Sequence, residues 1–213
     1  MGMPALKGPE PFTWEQYGQW PDDERWEIID GEAYAMSSSP GGRHQLVSGE
    51  LHRQFANFFR GKPCVALAAP LDVKLSETDI VQPDLLVVCD RTRIRDSHVE
   101  GPPTLAVEIV SPSSEWRDRF LKAKLYERFG IREYWIVTPY PPLIEVFFLG
   151  DSGRYHLHAG GTLGDTVAGL AFPDLTIDCD ALFAMSYTEA ERQIFKVREA
   201  PGAYGKRGKP ASL

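Results

Sequence analysis

Two short segments, "DLLVVC" at 84–89 and "TLAVEIV" at 104–110, are apolar at successive positions, so both alternating faces of each are hydrophobic. Strands of this kind belong in the middle of a sheet covered on both sides. The covering layers are also legible. In "RHQLVSGELHRQFANFFRG", Leu46, Val47, Leu51, Phe55, Phe58 and Phe59 mark one side of a long helix that stops near Gly61. "SSEWRDRFLKAKLYERFG" predicts a second helix with a Ser N-cap and a Gly stop, and "REYWIVTP" a further strand ended by Pro139. With "CVALAAPLDVKL" as another extended segment, the order is helix, three strands, helix, strand, an α/β core.

Additions flank this core. "PFTWEQYGQW" predicts a short helix capped by Thr13, and "RWEIIDGEAYAMS" a hairpin turning at Asp30-Gly31. "LIEVFFLGDSGRYHLHA" predicts a C-terminal hairpin around Asp151-Ser152-Gly153. A chain of 213 residues, 43% hydrophobic, supports one substantial core, and we assign a single domain to 12–195. From Lys196 the Gly/Pro/Lys-rich end carries five basic residues and one acidic, and is expected to be a disordered basic tail over 196–213. The formal charge is -7, which argues against a broad basic surface. No stretch reaches the roughly 18 apolar residues of a membrane span, and the N-terminus lacks a signal-peptide core, so a cytoplasmic protein is expected. Cys64, Cys89 and Cys179 are read as ordinary core thiols, and His156 and His158 as exposed residues of a hairpin.

Asp84 opens one apolar strand and Glu108 lies inside the next. Burying an unpaired carboxylate costs several kcal/mol, so each needs a cation, a metal ion or a proton. Two such groups on neighbouring strands can share Mg²⁺ (or Mn²⁺), ions that prefer oxygen ligands and can activate water against a phosphodiester.

A helical wheel supplies a cation. At about 100° per residue, with Asp118 at zero, Leu121, Leu125 and Phe129 define a core-facing stripe. Lys122 falls inside it and Lys124 outside. A lysine on that face requires a partner, and Glu108 on the preceding strand is the natural one. The pair can serve chemistry, or merely fix the helix, or the stem can snorkel past the edge of the core.

A Pro-Asp followed by a strand Glu in this element order resembles the PD-(D/E)XK nuclease superfamily, with its restriction-endonuclease-like fold. That pattern places a lysine two residues beyond the second acid, where this chain has Val110. "WEIIDGEAYAMSSSPGGRHQLV", "VQPDLLVV", "AVEIVSPSSEWRDRFLKAKLY" and "GIREYWIVTP" resemble successive motifs of the Uma-two family, in which the lysine has moved to the following helix within a pattern of Asp, three residues, Lys, three residues, Tyr. Asp118, Lys122 and Tyr126 match it.

The resemblance implies an endonuclease hydrolysing phosphodiester bonds of DNA, with Asp84 and Glu108 as metal-binding catalytic acids and Lys122 as the migrated catalytic lysine, whose charge would stabilise the developing phosphorane or orient the attacking water. It also covers His44, which either touches substrate or caps and packs the long helix, the latter being favoured. Glu50 on that helix is read as an exposed carboxylate in preference to a metal neighbour. A homodimer is expected, because one site cuts one strand and C₂ pairing addresses both. The competing reading is a catalytically silent nucleic-acid- or protein-binding module on the same fold.

Overall fold

The structure is a computed structural model and describes residues 5–6, 10–21, 24–36 and 40–198. It begins with β1 (Ala5–Leu6), α1 (Trp14–Tyr17), the hairpin β2 (Trp26–Ile29) and β3 (Glu32–Ala35), and the long helix α2 (Gly42–Phe59). Then follow β4 (Val65–Ala68), β5 (Asp72–Ser76), β6 (Asp79–Val81), β7 (Leu85–Val88), β8 (His98–Glu100) and β9 (Leu105–Ile109). A π-helical stretch, Arg117–Lys122, runs into α3 (Ala123–Arg128). Next come β10 (Glu133–Pro139), β11 (Pro142–Leu149), β12 (Tyr155–Gly161), β13 (Thr166–Ala168), β14 (Thr176–Asp178), α4 (Cys179–Phe183) and α5 (Glu189–Arg198).

The doubly apolar segments are central, as their composition demands. The main sheet has the order β12-β11-β10-β9-β7-β4, and β7 and β9 are buried along their whole lengths. Alternate residues enter opposite layers. Leu85, Val87, Leu105, Val107 and Ile109 pack with Val47, Leu51, Phe55 and Phe59 of α2. Leu86, Val88 and Ala106 pack on the other face with Leu125 and Tyr126 of α3. That second layer also contains Ile29, Val73, Val81 and Val99, which come from a second sheet of order β1-β3-β2-β6-β5-β8. The connection from β9 through the π/α3 helix to β10 makes the one parallel pair of the main sheet, with Ile136 beside Glu108.

Several expectations hold. Thr13 caps α1 in a capping box with Gln16. Asp30 and Gly31 both have positive φ, 53° and 74°, the backbone that a two-residue type I′ hairpin requires. The C-terminal hairpin forms as β11 and β12, with His156 and His158 exposed.

Others need correction. "CVALAAPLDVKL" is two strands in two different sheets, because Pro70 has no N–H to continue a ladder and the chain crosses between sheets there. The N-terminal hairpin is more than a flanking addition: β3 pairs β1 and β2 pairs β6, which builds it into the second sheet. Leu46 is exposed rather than part of the buried stripe of α2. Cys64 and Cys89 are joined in a disulfide: β4 and β7 pair with Val65 opposite Val88, which sets the two cysteines face to face just past the strand ends. Only Cys179 remains a free thiol among the described residues. Of the expected tail, 196–198 belong to α5, and 199–213 lie outside the described residues. No helix among the described residues is long and apolar enough to cross a membrane.

Candidate active site

The site begins with the pleat of β9. Successive side chains point to opposite faces, so while Val107 and Ile109 face α2, Glu108 faces the crossover helix. Glu108 is 2% exposed, and two groups of that helix receive its carboxylate. Tyr126 donates its hydroxyl to Oε1 at 2.7 Å, and Lys122 Nζ lies 2.9 Å from Oε2. Lys122 is 1% exposed, whereas Lys124 is exposed, as the wheel required.

The helix differs from the wheel in one respect. Its first stretch is π-helical, and the buried side chains are Asp118, Lys122, Leu125 and Tyr126, with Leu121 and Phe129 only partly buried. The wider turn swings the Asp118, Lys122 and Tyr126 triplet squarely onto the sheet. π-helical insertions of this kind are frequent at functional sites.

Lys122 has more partners than Glu108. Its Nζ lies 2.6 Å from Glu27 Oε1 and 3.5 Å from Asp118 Oδ1. Glu27, fully buried on β2, also accepts the Gln82 N–H at 3.0 Å and meets Arg117 Nε at 3.3 Å. The sequence reading missed Glu27. The signal was that Glu27 and Ile29 share one face of a strand, and Ile29 is core.

Asp84 sits where the chain enters β7. Its Oδ2 accepts the backbone N–H of Ile109 at 2.7 Å, which fixes the carboxylate against the end of β9. Its other oxygen, Oδ1, lies 3.3 Å from His44 Nε2. His44 therefore faces the acids and does not cap α2, whose N-cap is Gly41 without a side-chain bond. Glu50 is neither exposed nor at the site: Arg53 and Gln54 of its own helix hold it, and Arg53 keeps its carboxyl below the usual range.

These groups meet at a cleft of about 460 Å³ between the two sheets and the start of α2. Arg25, His44, Gln82, Asp84, Glu108, Arg117 and Asp118 line it, with a floor of Ser111, Ser113 and Ser114. Lys122 and Glu27 lie behind Glu108 and are not in the lining. Burial drives the electrostatics. It pushes the Glu108 carboxyl well up, against the pull of Lys122, with Asp118, Asp84 and Glu27 adding to the rise. Asp118 is raised for the same first reason. Burial works to lower Lys122, but Glu108, Glu27 and Asp118 outweigh it and hold the ammonium above its ordinary value. For His44 the carboxylate of Asp84 likewise overcomes burial and raises the imidazole.

The charge balance bears on what the cleft can hold. Four carboxylates, Glu27, Asp84, Glu108 and Asp118, meet three cations, Lys122, Arg117 and Arg25, leaving a formal excess of one negative charge before His44 is counted. Asp118 Oδ1 has no hydrogen-bond donor and is met only by the Lys122 ammonium at 3.5 Å among the described residues. A hard divalent cation fits such a donor set, because carboxylates keep unused lone pairs after accepting one bond each. Among the described residues no group of three or more His, Cys, Asp or Glu is arranged as a metal site.

Comparison with known proteins agrees with this architecture. A solved structure described as a "putative nuclease belonging to DUF820", from Anabaena variabilis ATCC 29413, superposes with a TM-score of 0.67 over 83% of this chain and 100% of that one, at 17% identity. At that identity the likeness shows the fold alone, the restriction-endonuclease-like α/β arrangement. An uncharacterized protein, slr1290, of Synechocystis sp. (strain ATCC 27184 / PCC 6803 / Kazusa) is 30% identical over 145 residues, covering 66% of this chain and 76% of the relative. A family model described as "Putative restriction endonuclease" matches residues 14–181, from α1 to α4. The chain belongs to that family, the Uma-two family.

Proposed function

We propose that the chain is a metal-dependent endonuclease that hydrolyses phosphodiester bonds of DNA. The observation that carries this reading is the placement of Asp84 and Glu108 in one cleft, each carboxylate fixed by a backbone or side-chain donor and the pair backed by a buried lysine. Family membership supports the nuclease assignment.

In this reading Asp84 and Glu108 are the catalytic acids and would hold Mg²⁺ or Mn²⁺. The ion supplies Lewis-acid polarisation of the phosphoryl group and a lowered pKa for water. The chain's own groups do the rest. Lys122 is a positioning residue: from behind the cleft it aims Glu108 and opposes, without cancelling, the rise that burial imposes on its carboxyl. Tyr126 fixes the other Glu108 oxygen and the Ile109 N–H orients Asp84, so little reorganisation is left for the reaction. His44 holds Asp84 from the α2 side. Two copies acting as a dimer would address both strands of a duplex, and β12, an edge strand of the main sheet, offers an edge for pairing.

One observation favours a catalytically silent binding module instead: the Lys122 ammonium is shared among three acids and does not reach the cleft. Incubation of an end-labelled duplex with Mg²⁺, Mn²⁺ or EDTA separates the two. The nuclease reading expects shortened strands with either metal and intact duplex with EDTA. Intact duplex throughout, from folded protein, supports the silent module.

A further inference from the structure

Among the groups lining the cleft, Arg25 stands apart. Arg117, the other arginine there, is engaged by Glu27 and by the carbonyl of Ala35. Arg25 meets no carboxylate among the described residues. Its guanidinium donates instead to a neutral amide, from Nε at 3.1 Å and Nη2 at 2.7 Å, both to Gln82 Oε1.

The amide itself is fixed. Gln82 Nε2 donates to Asp72 Oδ1 at 2.8 Å and lies 3.3 Å from the Tyr17 hydroxyl, which turns Oε1 toward Arg25. The Gln82 backbone N–H is taken by Glu27. The Arg25 backbone is pinned as well, its carbonyl accepting the Met36 N–H at 2.8 Å. Among the described residues the arginine is thus aimed by a neutral amide and by no carboxylate, with Asp72 on the far side of that amide. A planar guanidinium with donors to spare is the group that suits a phosphate.

Its place matters too. Gln82, which holds the guanidinium, precedes Asp84 by two residues, and Arg25, Asp84 and Glu108 line the same cleft. We propose that Arg25, oriented by Gln82, is an anchor for a DNA backbone phosphate adjoining the one cleaved, a subsite that rests on the nuclease reading above. A contact of this kind positions the strand and carries no sequence information.

The test is binding of a dye-labelled DNA duplex by Glu108→Gln protein, followed by anisotropy across a salt series, with and without Arg25→Gln. Loss of one phosphate contact should weaken binding about tenfold and flatten the slope of log K against log salt by about 0.9. Arg25→Lys should keep the slope while binding less tightly, which separates a lost contact from a damaged fold. Duplex binding with the same slope and affinity in Arg25→Gln overturns the anchor alone. No duplex binding by any of these folded proteins overturns the nuclease reading and the anchor with it.

Discussion

Lys122 Nζ lies 2.6 Å from Glu27 Oε1, so the crossover helix of the main sheet and the N-terminal hairpin of the second sheet are joined by a buried ion pair directly behind Glu108. Breaking a buried pair from one side is expensive because the stranded charges stay desolvated. Lys122→Met leaves Glu27, Glu108 and Asp118 without their shared cation and should cost about 3–5 kcal/mol in urea unfolding. Lys124→Met, on the exposed face, should stay within about 0.5 kcal/mol of wild type. Equal costs for the two variants would contradict the assigned helix phase.

Divalent metal should stabilise the folded protein through the two cleft carboxylates. A ligand that binds only the native state at 100 times its dissociation constant adds about 2.7 kcal/mol, visible as a rise in Tm on adding Mn²⁺. Asp84→Asn and Glu108→Gln should each remove most of that rise. A Mn²⁺-induced rise that persists in both variants would place the ion elsewhere.

The three cysteines should differ in chemistry. Denatured but unreduced protein should titrate one thiol, Cys179, because Cys64 and Cys89 are joined. In the native state burial pushes the Cys179 thiol up to about 12, with Asp165, Asp178 and Asp180 adding to the rise. It should therefore resist iodoacetamide at pH 8 until the protein unfolds. Three thiols in the denatured sample would refute the crosslink.

Asp72 gives a pH dependence of definite sign. Burial raises its pKa above 3.8, only partly offset by the hydrogen bonds from Gln82 and Tyr17. A carboxyl raised on folding contributes stability below its unfolded pKa and loses it as pH climbs through the folded value. Relative to Asp72→Asn, wild type should thus be favoured more at pH 4 than at pH 7, as read from urea midpoints. The reverse order would mean that the hydrogen bonds outweigh burial.

What the sequence disclosed follows the range of the forces involved. Asp84, Glu108 and Lys122 were legible because a charge inside an apolar period is a local anomaly, and the strand and helix periods say which face it occupies. Glu27 was hidden because its burial comes from a second sheet closing over the crossover helix, a contact between segments far apart in the chain. Gln82 and Arg25 were silent for the same reason, since an arginine near a hairpin reads as surface. The disulfide depended on the β4–β7 register, which places Cys64 opposite Cys89 only once the strands pair. Pro70 did carry a local signal, a residue unable to donate within an extended run, and it marks where the chain changes sheets.

The most direct measurement is conversion of supercoiled plasmid in Mn²⁺ by wild type and by Glu108→Gln, both shown to be folded by circular dichroism. Wild type should nick or linearise the plasmid, and Glu108→Gln should leave it supercoiled, slower by at least about 10²-fold, the scale of losing one electrostatic catalytic group. Equal cleavage by the two proteins, or a supercoiled plasmid left intact by wild type, would contradict the assignment of Glu108 and Asp84 as the acids of a nuclease site.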